Sequence, residues 1–432
     1  MATGYAELLR AKHAMRLLAG TLVGRLPNGT APLAIVLFIR SAGGGYSLAG
    51  ALSAVYGLAT AVGQPMLGRL VDLYGQPRVM FPASLLSALG MALLAATGTD
   101  PVPLAVAAVL VAGVCTPPLE GGLRALWPKV LGGPERVHRA YALDAVAQEV
   151  MFAVGPLLVT VLVALWSEAA ALLVINALGV LGAVSVVVSP PSRAWRSASR
   201  EAHWLGALRS SGLLALLGSF FFVGAALGSI SVAAVRYADD HGDGLVSSYL
   251  LSALGFGALV GGVVYGARHW PGSPERRLVW LVVALAAGYL PLTLVPGVPA
   301  MTVLAGVSGV FLAPALACAF VVVDRHAPSG TVTEAFSWLV TTFGVGAAAG
   351  TAVVGPVIER GGASGGFAVA GAGGVASLLV LVLTRRALLR PPAELRPDSS
   401  PVAAESASAP VIRLENDPDR GPEPGFRSGH QA

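Results

Sequence analysis

The sequence predicts an all-α integral membrane protein with twelve transmembrane helices, arranged as two six-helix halves repeated in parallel. Three observations carry that prediction. Of 432 residues, 55% are hydrophobic and 12% charged, about half the charge content of a soluble domain. Apolar runs of roughly 18 residues or more recur through most of the chain, each long enough to cross a bilayer as a helix. Arg and Lys gather in alternate connections between those runs, the pattern that orients a multi-pass chain. Barrel strands would be short and alternating, whereas these runs are long and apolar on every side. The 54 Gly and 30 Pro are tolerated in lipid-spanning helices, where neighbouring helices re-satisfy the backbone groups they free.

The chain opens on a short basic segment, residues 1–16, with Arg10, Lys12 and Arg16. The first apolar run is too long and too interrupted for a cleavable signal. The first bundle, 17–188, holds expected spans at 17–39, 46–70, 79–98, 103–127, 144–166 and 168–188. Residues 189–210 are the longest polar break before the tail and read as a linker between halves. The second bundle, 211–389, holds spans at 211–235, 245–267, 278–296, 300–323, 334–357 and 363–384. From 390 to 432 the chain is rich in Pro, Ser, Glu and Asp, with almost no bulky apolar residues. Such a segment buries too little apolar surface to fold and is expected to be disordered.

Arg69, Arg78, Lys129, Arg139, Arg193, Arg268, Arg276, Arg325 and Arg385 fall on one side of these spans, and Arg40, Arg236 and Arg360 on the other. The first side is therefore expected to be cytoplasmic and to hold both termini. Only two lysines occur among 28 basic residues, in a chain rich in Ala, Gly and Val. That bias points to a GC-rich bacterial genome, and so to a bacterial plasma membrane. Cys115 and Cys318 lie inside apolar runs, as packing residues rather than a disulfide.

The halves look duplicated. Gly63, ahead of a charged turn, recurs as Gly261 198 residues later, and Gly113 with Pro118 recurs as Gly309 with Pro314 196 residues later. Near-equal offsets in corresponding spans are what a parallel repeat leaves. Gly20/Gly24, Gly257/Gly261 and Gly346/Gly350 have the spacing of close helix crossings.

The turn between the second and third spans runs Gly68-Arg69-Leu70-Val71-Asp72-Leu73-Tyr74-Gly75-Gln76-Pro77-Arg78. Gly68, Asp72, Gly75 and Arg78 resemble the signature of the loop between helices 2 and 3 of the major facilitator superfamily of transporters. Gln76-Pro77 departs from the family's usual basic pair, and the second copy, at Gly266, lacks the Asp. Gly155-Pro156 on the fifth span resembles the end of an antiporter motif in that family, without its longer Gly spacing. Glu334 to Trp338, entering the eleventh span, is similar to bacterial drug- and metabolite-efflux members. The resemblance covers about residues 10–390 and implies the major facilitator fold. Asp72 can cap a helix N-terminus or pair with an Arg on the cytoplasmic face, so the turn reads as a latch holding the halves together in one conformation.

Ionisable residues inside spans are costly and functional by default. Arg25, Glu120, Arg124, Glu149 and Glu334 are the set here. Arg25, Glu120 and Glu149 are expected at similar depth, with Arg25 paired to Glu149 or Glu120 and one carboxylate exchanging a proton as the cavity opens. A static salt-bridge network is the alternative. Asn28, Phe222, Trp338 and Phe343 are candidates to line a substrate cavity.

No Walker-type lysine context, His-Glu-x-x-His or Cys-x-x-Cys occurs, so an enzyme and a resident cofactor are not expected. Basic residues spaced through loops do not form a nucleic-acid surface. The expectation is a monomeric secondary transporter working by alternating access, with the bilayer, a small amphipathic molecule and protons as partners. It would use the proton gradient for efflux. The alternatives are an importer or uniporter of a small metabolite, and a non-transporting membrane sensor or accessory protein of the same fold.

Overall fold

The computed structural model describes residues 7–198, 205–242 and 245–388. The tail from 390 lies outside the described residues, as do 199–204 of the linker. The described residues are helical, with no strand. In the first half the helices are α1 (Ala14–Gly24), α2 (Leu26–Ser41), α3 (Tyr46–Tyr74), α4 (Gln76–Thr97), α5 (Val102–Val114), α6 (Leu119–Leu131), α7 (Pro134–Leu165) and α8 (Glu168–Val187). The short α9 (Pro190–Ala194) begins the linker. The second half holds α10 (Ser211–Asp240), α11 (Leu245–Ala267), α12 (Pro274–Tyr289), α13 (Val298–Gly309), α14 (Leu312–His326), α15 (Val332–Leu383) and the short α16 (Arg385–Leu388).

Among the described residues, nine helical stretches are long and apolar enough to cross a membrane, and a bent α7 adds a tenth. α3 is 29 residues long but more polar, carrying Gln64, Arg69 and Asp72. α15 merges two expected spans over 52 residues, broken only at Gly362 (φ 59°, ψ −160°). Counting α3 and both arms of α15 gives the twelve expected lengths.

Three expected spans are broken, each for a local reason. The first breaks at Arg25 (φ −96°, ψ 0°), where Pro27 stands in the first turn of α2 and has no N–H to continue the ladder. The fourth breaks between Val114 and Leu119, across Pro117-Pro118. The tenth breaks at the repeat-equivalent place, between Gly309 and Leu312. Other boundaries move. The charged turn is not a loop: Gly68–Tyr74 are the last turns of α3, and Gly75 (φ 89°) alone separates them from α4. α7 starts ten residues before the expected span, at Pro134.

The repeat is visible in packing. A Cβ on Gly63 would run into the Val114 carbonyl, and one on Gly261 into the Val310 carbonyl. Gly113 lies in the same way on the Tyr56 carbonyl and Gly309 on that of Leu254. The same two glycine–carbonyl contacts thus join α3 to α5 in one half and α11 to α13 in the other. The halves meet where α3 packs on α15 and α7 on α11 and α14.

Candidate functional site

Between the halves lies a cavity of about 620 Å³. Its walls come from α2, α3 and α15, with Leu316 and Phe320 of α14. They are mostly apolar; Asn28, Tyr56, Gln64 and Thr341 add polar groups, and Glu120 and Gln148 stand at the base. Asn28 and Phe343 line it. Phe222 and Trp338 do not, which corrects the expectation for both. α10 contributes no lining residue; Phe222 sits edge-on to Phe221, ring centroids 5.3 Å apart. Trp338 lies about 140° round α15 from Phe343 at 100° per residue, and packs on the apolar core instead.

At the cavity base a buried charge cluster joins three elements of the first half. Arg124 on α6 donates from Nε to Asp144 Oδ2 at 2.6 Å, and Arg25, at the α1–α2 break, donates from Nη1 to Asp144 Oδ1 at 3.2 Å. Glu120, one turn before Arg124, lies 3.5 Å from it and 3.8 Å from Arg25. Two positive and two negative groups therefore balance. Asp144 is fully buried, whereas Glu120 is 13% exposed and faces the cavity. Arg25 Nη2 and Arg124 Nη1 are buried without a hydrogen-bond partner.

Asp144 is the residue that sequence reasoning missed. Placing the span from 144 left it at the membrane edge, but α7 begins earlier and carries it inward. The available signal was Asp144-x-x-x-Gln148: both face Arg124, whose Nη2 reaches Gln148 Oε1 at 3.4 Å, as an i,i+4 pair should. The expected Arg25–Glu149 pair does not form. Glu149 is five residues past Asp144, about 140° round the helix. It is half-buried, and no ion pair or hydrogen bond to it occurs among the described residues.

The cluster touches the other half directly. Arg124 Cζ stands 3.7 Å over the Phe320 ring, a cation–π contact. Tyr141 meets Phe320 and Phe336 edge-on or tilted, at 6.1 and 5.9 Å. These aromatics plug the Arg-rich end below the cavity.

Beside the plug is the turn expected to act as a latch. Asp72 accepts from the backbone N–H of Thr333 at 3.1 Å and of Glu334 at 2.9 Å, at the N-terminus of α15. The exposed donors and helix dipole there favour a carboxylate. Gly68 allows the approach, since a Cβ would come within 2.7 Å of Ser337 Oγ. Arg78 is exposed, and Asp72 meets backbone rather than an Arg. Glu334 is buried at the interface, not in the cavity; its Oε1 accepts from Ala207 N at 3.2 Å, tying α15 to the linker. Gln76, the departure from the usual motif, has its own role. It donates to the Gly122 carbonyl at 2.9 Å and accepts from Ser192 Oγ at 2.8 Å. Gly155 sits in α7 against Thr30 of α2, and Pro156 is exposed.

The second half repeats the latch with different chemistry. Position 72 plus the offsets of 196 and 198 falls at Arg268 and Trp270, on either side of His269. His269 Nδ1 lies 3.0 Å from Glu135 Oε1, in the first turn of α7. The pair is well exposed, unlike the Asp72 contact.

The family model of the Major Facilitator Superfamily matches residues 17–298. No curated protein sequence matches. Solved structures of transporters do match in fold. A bacterial homologue of the iron transporter ferroportin, in an outward-facing state, shares 15% identity at a TM-score of 0.68, covering 87% of this chain and 100% of that one. The E. coli fucose:proton symporter shares 13% at 0.65, covering 86% and 98%. The human organic anion transporter MFSD10 shares 18% at 0.63, covering 85% and 98%. Over this span of sequence and fold, the chain belongs to the major facilitator superfamily, a multi-pass membrane transporter and not an enzyme.

Proposed function

We propose that the chain is a proton-coupled exporter of a small amphipathic molecule, working by alternating access, with Glu120 as the coupling carboxylate. One observation carries the reading: Glu120 belongs both to the cavity lining and to the charge cluster. It is held at longer range than Asp144 and is the cluster's cavity-facing acid. A carboxylate stays charged beside an Arg and is disfavoured as an anion when buried without one. Protonation of Glu120 would leave both arginines to Asp144. Arg124 would then shift against Phe320, the point where the cluster meets the opposite half. A proton is thereby tied to the plug that keeps the Arg-rich end closed.

The Arg-rich end is the cytoplasmic one in this reading, so the closed latch and plug correspond to an outward-facing conformation. The apolar walls with one acid at the base suit a cationic amphipath. Export is favoured over import by the antiporter-like Gly155-Pro156. Inverted membrane vesicles with an acid lumen test both points. Substrate should accumulate in the lumen as protons leave, and collapse of the gradient should stop it. Accumulation in right-side-out vesicles instead would identify an importer. Full coupling in Glu120→Gln would end the assignment to Glu120, and full coupling in both Glu120→Gln and Glu149→Gln would end carboxylate coupling altogether.

A further inference from the structure

A second cavity, of about 540 Å³, opens at the Arg-rich end beside the His269–Glu135 pair. One wall is the start of α7, with Glu135, His138 and Arg139; the other is the α11–α12 connection and the end of α14, with Arg268, Arg277 and Arg325. Four guanidinium groups and two imidazoles thus face two acids, Glu135 and Asp324. Glu135 is engaged by His269. Arg325 is drawn toward Glu275, 3.5 Å away, and Arg277 donates to the Trp270 carbonyl at 3.2 Å. The guanidinium groups of Arg139 and Arg268 have no hydrogen bond or ion pair among the described residues. His138 packs on Tyr265 at 4.8 Å. His138 Nε2 and Arg277 Nε are buried without a hydrogen-bond partner.

The pocket lies where the first half has Asp72. There a carboxylate supplies the negative charge that binds one half to the other. Here the repeat offsets deliver Arg268 and Trp270, and the charge left over is positive on both walls. We propose that a phosphate-type oxyanion binds between Arg139 and Arg268, bridging the halves and taking the place of the missing carboxylate. Arginine forks match phosphate oxygens bidentately, and basic pockets between membrane helices take lipid headgroups in the same way. A free phosphate compound and an anionic lipid headgroup share this chemistry. Because both walls must be close for the anion to bridge them, binding holds the Arg-rich end shut. That consequence rests on the alternating-access reading, whereas binding does not, and the two are measured separately.

Binding is tested on the purified full chain in neutral phosphatidylcholine nanodiscs, titrated with inorganic phosphate at constant ionic strength. The melting temperature should rise saturably, and Arg139→Ala or Arg268→Ala should weaken half-saturation at least fivefold, with Arg268→Lys recovering part of it. A parallel arm replaces phosphate by phosphatidylglycerol in the disc. A rise confined to that arm and lost in the Ala variants identifies the headgroup as the source. No saturable rise in either arm, or a rise unchanged in both Ala variants, overturns the site. Locking is read on Cys318, buried with its Sγ 3.2 Å from the Pro274 carbonyl under the pocket. In a Cys115→Ala background, the anion should slow Cys318 alkylation severalfold; binding without slowing refutes the lock and leaves the site standing.

Discussion

Asp144 and Glu120 share the same two arginines and are expected to fail differently when neutralised. Asp144→Asn leaves two buried guanidinium groups facing one carboxylate. Breaking a buried pair in this way costs about 3–5 kcal/mol, so the variant should lose its monodisperse peak on size-exclusion chromatography. Glu120→Gln should keep that peak, because the amide stays at the wetter edge and still accepts a hydrogen bond, while proton-driven uptake disappears. An aggregated Glu120→Gln alongside a well-behaved Asp144→Asn would reverse the assignment. At the latch, Asp72→Ala strips two buried N–H groups of their acceptor, a loss of about 1–3 kcal/mol. The population should shift toward opening at the Arg-rich end, seen as Cys318 alkylation faster by about fivefold or more. An unchanged rate would mean that the aromatic plug holds that end without Asp72.

At the scale of elements, helix existence was legible in the sequence and helix ends were not. Apolar length declares a span, but α7 begins in polar sequence at Pro134 and α3 continues through Asp72, because tertiary contacts extend both beyond the apolar window. That is why Asp144 went unread and why the charged turn shrank to Gly75. Pairing partners were hidden for a related reason. Which acid meets Arg25 depends on the rotation of α7, and a five-residue difference there turns a side chain away from the cluster. Offsets between glycines, by contrast, needed no rotation to be readable. Gly63→Ala and Gly261→Ala should lower the melting temperature by similar amounts, since each drives a Cβ into an equivalent carbonyl. Gly29→Ala, with no heavy atom near its Cβ position, should be neutral or slightly stabilising. A large loss at only one of the first two would break the equivalence of the halves.

For the whole molecule, the alternation of basic connections predicts a topology that labelling can check. With Cys115 and Cys318 replaced by Ala, a cysteine at exposed Asp239 should react with an impermeant thiol reagent added to intact cells. One at exposed Arg276 should react only in inverted vesicles. The reverse pattern would invert the assignment of sides, and with it the conformation assigned to the closed latch. The sequence located the second copy of the turn at Gly266 but not its His269–Glu135 contact, because no carboxylate there marks a partner.

The double membership of Glu120 has a consequence for bioenergetic economy. If a cationic cargo in the cavity and a proton must occupy the same carboxylate by turns, then competition alone enforces exchange, and no signal has to travel between separate sites. A neutral molecule of the same shape would not contest that acid. It should ride with a looser stoichiometry, leaving a measurable proton slip wherever the cationic analogue shows none.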